Sequence, residues 1–192
     1  MFLVLPRFRL RVSVIALPSL IVMLWLEGFL PFFILVFSAV LHETAHIAVM
    51  RILGYRARRI DILPMGALIV CPEAIPFRDE AAIALAGPIA SLTASAVGFI
   101  AFAVSKNAYT IFFAIVNLML ALFNLLPVAS LDGGKALFCL LQYKEKRSCA
   151  RICTFASLFS KTLLIIIIAL AVIFSGYNLG VISLFLALLV QL

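Results

Sequence analysis

The only two histidines of this 192-residue chain, His42 and His46, stand four residues apart in the string His42-Glu43-Thr44-Ala45-His46, inside a long apolar run. On an α-helix, four residues return to nearly the same face, about 6 Å further along the axis. Two imidazoles so placed can share one metal ion, with Zn–N distances of about 2.0–2.1 Å. Glu43 is turned aside by one residue's rotation, so it can hold a water bound to that ion rather than ligate it. This is the arrangement of a zinc hydrolase. The competing reading is a polar cluster that glues helices together, or a chance match. Ionisable groups inside a membrane cost on the order of 2.5–3.5 kcal/mol each on insertion scales. A purpose that repays that cost is the better reading, so the string points to a metal.

A hydrolytic zinc keeps three protein ligands and one water. Apart from Glu43, the acids are Glu27, Asp61, Glu73, Asp79, Glu80, Asp132 and Glu145. Six of these lie at the edges of apolar runs, where a solvated carboxylate is unremarkable. Asp132 is the exception. It lies in Asn124-Leu125-Leu126-Pro127-Val128-Ala129-Ser130-Leu131-Asp132-Gly133-Gly134, with apolar sequence on both sides. Pro127 should break the helix there, and the two glycines let another element approach closely. Asp132 is either a third ligand turned inward at the break or a cap for the helix that follows. Beside a histidine pair, the ligand reading is the stronger.

The elements that must position these residues are membrane helices. The chain is 66% hydrophobic and 12% charged, with a mean hydropathy of +1.28, which excludes an ordinary soluble domain. At about 20 residues per span there is room for about six helices. Apolar runs place them near residues 12–26, 29–50, 80–104, 108–126 (continuing brokenly to about 141), 154–175 and 178–192. The net charge of +7 does not imply nucleic acid, because the basic residues flank the apolar runs. Arg7, Arg9 and Arg11 precede the first. Arg51, Arg56, Arg58, Arg59 and Arg78 follow the second, and Lys144, Lys146, Arg147 and Arg151 follow the fourth. Only Lys106 falls in the alternate loops. The positive-inside rule then puts both termini in the cytosol, with His42 roughly 12 Å inside the cytosolic boundary at Arg51.

The first run follows basic residues as a signal peptide does, but it ends in Trp25-Leu26-Glu27-Gly28 without a small-residue cleavage site, and reads as a retained span. Cys71, Cys139, Cys149 and Cys153 read as free thiols. Trp25 and Tyr177 read as interface anchors, and Lys161 as a snorkelling side chain. The segment Gly54–Pro76 holds Gly54, Pro64, Gly66, Pro72 and Pro76 and is too broken for a helix. It suits a short hairpin at the membrane edge. The expected fold is therefore an all-α membrane protein, one domain over residues 1–192. Its six transmembrane helices would carry a short membrane-associated hairpin or re-entrant loop between the second and third.

The His-Glu-x-x-His string, Ala86-Gly87-Pro88 and the Asn124–Gly134 motif together resemble the site-2 protease family of intramembrane zinc metalloproteases. The short chain looks most like the branch of stage IV sporulation protein FB, which usually adds a cytosolic CBS domain after the last span; the sequence stops at Leu192, so that domain is either absent or lies beyond the sequence given. The resemblance covers residues 30 to 140. It implies one Zn²⁺ held by His42, His46 and Asp132, with Glu43 as catalytic base and Asn124 holding substrate or the developing oxyanion. Pro64-Met65-Gly66-Ala67 resembles the family's re-entrant loop, with alanine in place of a second glycine; Ala129 and Ser130 stand where proline is common. The implied activity is cleavage of the transmembrane or membrane-proximal segment of a membrane-bound regulator, in a bacterial cell membrane, with the active site toward the cytosol. The implied partners are that substrate and the lipid bilayer, with no nucleic acid; oligomerisation stays open. The alternative is a metal-binding transporter using the same histidines, but the polar groups gather at one depth and no repeat is visible.

Overall fold

The structure is a computed structural model that describes residues 2–5, 10–13, 25, 28–56, 59–63, 66–70, 75–143 and 149–174. The chain divides into two compact units, Met1–Phe123 and Asn124–Leu192.

The first unit is built on three helices: α1 (Phe29–Ile52), α2 (Phe77–Ser105) and α3 (Ala108–Asn124), the last running to the boundary between the units. They lie where the second, third and fourth apolar runs begin. Asp79 and Glu80 occupy the first turn of α2, where carboxylates meet the positive end of the helix dipole. Between α2 and α3 the chain turns at Lys106, in the left-handed region at φ 52°, whose N–H donates to Phe102 O at 2.8 Å. Asn107 Oδ1 then accepts the N–H of Tyr109 at 2.8 Å, capping α3.

A four-stranded sheet accompanies the helices, in the order β1 (Phe2–Leu5), β2 (Leu10–Ser13), β3 (Arg59–Leu63), β4 (Gly66–Val70). β1–β2 and β3–β4 are antiparallel hairpins, and β2–β3 is parallel with Leu10 opposite Ile60. The helical expectation stands for the described apolar runs and for every candidate site residue. The all-α description is amended by this sheet. The broken segment Gly54–Pro76 carries one of its hairpins, in which Leu63 pairs with Gly66. Val12 and Ser13, counted above in the first apolar run, belong to β2 instead. Most of that run, all of 178–192, Pro64, Met65 and Lys144–Arg147 lie outside the described residues.

The helices are packed inside-out relative to a water-soluble protein. The row of α1 that is buried comprises Ser38, His42, His46 and Met50, whereas Phe29, Phe33, Phe37 and Val40 are exposed. In α2 the buried face holds Ala84, Gly87, Pro88, Ser91, Ser95 and Gly98, and Ile89, Val97, Ile100 and Val104 face outward. Both helices are long and apolar enough to cross a membrane, and their most apolar stretches are only 17% and 33% buried. A core helix of a soluble protein would hide such a stretch; here lipid must cover it. Small residues let the backbones approach, as is usual between membrane helices. A Cβ on Gly98 would stand 2.9 Å from Ala114 Cβ of α3, and Ser95 Oγ donates across the same contact to Ala114 O at 2.8 Å.

The second unit holds α4 (Asp132–Tyr143) and α5 (Cys149–Phe174). Pro127 lies in the non-helical stretch 125–131, where Val128 N–H donates to Leu126 O and Leu131 N–H to Val128 O, at 2.8 and 2.9 Å. Val128 is fully buried. Gly133 and Gly134 lie against the backbone of this turn: a Cβ at Gly133 would collide with Leu125, and one at Gly134 with Val128. Because backbone cannot swing aside as a side chain can, Gly134→Ala should destabilise the chain by about 1–3 kcal/mol or more through overpacking. Thermal unfolding in detergent would read this as a lowered Tm, and an unchanged Tm would contradict the packing described.

Candidate metal centre

The centre is assembled by α1 and α2. At one end of the pair, Tyr55 Oη donates to Asp79 Oδ2 at 2.8 Å, fastening the chain just after α1 to the first turn of α2. The two helices run antiparallel from that fastening. His46 then comes opposite Ile83, and His42 opposite Ser91. Both imidazoles are buried, at 7% and 4% exposure. Their ring centroids lie 5.0 Å apart with the planes at 74°, so the helical spacing does bring them side by side.

The Nδ1 atoms decide what the rings can do. His46 Nδ1 lies 2.7 Å from Ile83 O. A main-chain carbonyl only accepts, so that nitrogen carries the proton, and Nε2 of the neutral ring is left with its lone pair. His42 Nδ1 lies 3.0 Å from Ser91 Oγ, a bond buried in the same helix seam. With Ser91 accepting, His42 takes the same tautomer. Partners of this kind orient a ligating histidine and raise its basicity.

Both Nε2 atoms face Gly87 of α2. A Cβ built there would lie 2.6 Å from His42 Nε2 and closer still to His46 Nε2. The absence of a side chain at residue 87 is therefore what keeps the space before the two nitrogens open. The donor set has the chemistry that zinc takes: two buried imidazoles side by side, each held from behind through Nδ1.

Glu43 is half-buried on α1, one residue round from His42. Asn124 ends α3 and is half-buried. Asp132 is the first residue of α4, buried, with Oδ1 3.7 Å from Lys135 Nζ. It thus begins a helix where the capping reading wanted it, and is as buried as the ligand reading wanted it. A carboxylate has two oxygens and can serve a partner with each.

The sequence reading missed Ser91 and the Ile83 carbonyl as histidine partners, and assigned no task to Gly87. The Ala86-Gly87-Pro88 string was the available signal. The carbonyl had none, because a main-chain atom is not encoded by residue type.

The sequence profile of Peptidase family M50 matches residues 31–108 and 106–170. The chain is 32% identical over 162 residues to zinc metalloprotease MJ0392 of Methanocaldococcus jannaschii, covering 75% of this chain and 48% of that one. It is also 32% identical over 110 residues to stage IV sporulation protein FB of Bacillus subtilis, covering 55% and 38% respectively. The chain thus spans less than half the length of these relatives. Among solved structures, the fold is similar to that of a site-2 protease from Methanocaldococcus jannaschii. The TM-score is 0.65 at 24% identity, over 96% of this chain and 91% of the other.

Two substitutions test the centre. Ser91→Ala should weaken zinc binding by roughly 10–100-fold, the usual cost of losing a ligand's supporting hydrogen bond. Gly87→Ala should abolish it, because the methyl group fills the space before both nitrogens. Competition titration with a fluorescent zinc chelator measures both, and a Gly87→Ala protein that binds zinc like the unaltered chain would refute the geometry.

Proposed function

The chain belongs to Peptidase family M50, and from that premise we propose that it is an intramembrane zinc endopeptidase of the site-2 protease type. The observation that carries the proposal is the convergence of His42 Nε2 and His46 Nε2 on Gly87, with both Nδ1 atoms already engaged. Asp132 supplies the third ligand. In support, His42, His46 and Asp132 are each buried and each offers a ligand atom that zinc takes. The family and the names of the matched relatives make zinc that metal.

When bound, zinc acidifies a coordinated water toward a pKa of about 7 and polarises the scissile carbonyl. The residues of the chain do the rest. Glu43 accepts the proton from the attacking water and passes it to the leaving amine. The Asn124 amide holds the substrate backbone or the oxyanion as it develops. A transmembrane substrate protects its peptide bonds by internal hydrogen bonding, so it must unwind before it can be cut. β4 ends the strand order, and the β3–β4 hairpin receives the extended substrate as an added strand; the stretch between Asn124 and Asp132 is the other candidate for this task.

The basic residues beside the described spans support a site that opens toward the cytosol and a chain of six spans with cytosolic termini. The substrate is then a membrane-bound regulatory protein, cut in or beside its transmembrane segment to release a cytosolic piece. None of the matched relatives is named a transporter.

Co-expression with candidate single-span substrates, followed by mapping of the cut, tests the reading. Glu43→Gln should lose cleavage by about 10²–10⁴-fold, the usual worth of a general base, while zinc stays bound. Near-normal cleavage by that variant would remove Glu43 from the mechanism. Metal flux that survives the substitution, with no cleavage by the unaltered chain, would favour a transporter instead. Asp132→Ala should lose zinc, whereas retention at unchanged affinity would leave Asp132 as only a helix cap.

A further inference from the structure

A groove of about 370 Å³ opens in the first unit, at the end of the helices away from Arg51. Its walls include Phe33 and Phe37 of α1, Val97 and Ala101 of α2, and Tyr109 and Phe113 of α3. Phe37 and Val97 lie about two turns in from the helix ends at Phe29 and Ser105, so the groove reaches roughly 12 Å along the helices. The Phe37 and Phe113 rings, with centroids 6.2 Å apart, line its deep end. Just beyond them α1 and α3 close on each other, where Asn117 Nδ2 donates to Ser38 Oγ at 2.8 Å. At the shallow end the lining changes to Asn107 and Thr110, in the turn that carries Lys106. Residues 105–110 include no acid. Lys106 is exposed, with Nζ 5.6 Å from the centre of the Phe102 ring.

We propose that this groove binds one phospholipid, with an acyl chain against the aromatic walls and the headgroup phosphate at the turn that carries Lys106. Three features select that occupant. The first is polarity: the groove is apolar at depth and polar at its mouth, and its mouth lies at the helix ends, where a membrane meets water. The second is depth. The hydrocarbon of one leaflet is half of about 30 Å, close to the reach of the groove. A membrane-crossing helix is about 10–12 Å wide and needs a face along the whole span; the Ser38–Asn117 contact ends this groove halfway. The third is charge. A lysine with no acid in its own turn attracts an anionic headgroup, and the volume lies in the usual range for a small-ligand site, about 300–1,000 Å³. The inference rests on the chain crossing a membrane and not on its cutting anything, so lipid binding and proteolysis can fail separately.

Native mass spectrometry of the full chain, released from nanodiscs of equal parts phosphatidylglycerol and phosphatidylcholine, tests it. The unaltered chain should retain one phospholipid, with phosphatidylglycerol favoured roughly fivefold, the usual worth of one cation beside anionic lipid. Lys106→Gln should keep a lipid and lose the preference. Ala101→Phe should fill the groove and lose the lipid. No retained lipid, a preference that survives Lys106→Gln, or undiminished retention by Ala101→Phe would each overturn the proposal. So would a disulfide-linked pair of chains formed by Val97→Cys in the membrane and absent from the unaltered chain, because a second copy would then occupy the groove. If Ala101→Phe does not fold, the unaltered chain and Lys106→Gln still decide the matter.

Discussion

The orientation of the two imidazoles depends on hydrogen bonds that α2 makes to the backs of their rings. A histidine has two nitrogens, and only a ring whose distal nitrogen is engaged presents the other in a fixed protonation state. Ile83 O and Ser91 Oγ serve that purpose about two turns apart on one helix. The same helix places Gly87 between them, and both Nε2 atoms lie close against it. One element therefore holds both rings and leaves room for them, and sets the tautomer of His46, and the antiparallel pairing of α1 with α2 is what makes this possible.

That pairing is held in a setting where burial of apolar surface does little, because lipid tails are as apolar as the side chains they replace. The first unit instead joins its helices through small residues and hydrogen bonds: Gly98 against Ala114, Ser95 to Ala114 O, Asn117 to Ser38, and Tyr55 to Asp79. Polar groups that would be liabilities on a lipid face become the specific contacts of the interior. The four-residue row Ser38, His42, His46 and Met50 shows how a single face of α1 carries both packing and chemistry.

Much of this was legible in the sequence. Histidines four apart in an apolar run, the proline-broken stretch before Asp132 and the acids opening α2 each follow from local rules, and the described helices begin close to where the apolar runs do. The hairpin at Arg59–Val70 was legible as a break, from its glycines and prolines. The sheet was not. β2 pairs with β3 across nearly fifty residues of sequence, and Leu10–Ser13 looks locally like the approach to an apolar helix. Ser91 was equally hidden, for a serine in a membrane helix usually bonds to its own backbone. Only the register of two helices reveals that it faces His42. How Asp132 is used is a question of the same kind, since the two ends of the motif string are far apart in the chain.

The two ring partners differ in a way that bears on how such a chain can vary. Ile83 contributes a peptide oxygen, which every amino acid at that position would also provide. Ser91 contributes a hydroxyl, which a single codon change can remove or replace. Sequence drift can therefore loosen or stiffen His42 but leaves the hold on His46 untouched. The grip on the ion becomes adjustable at residue 91 without any exchange of ligand.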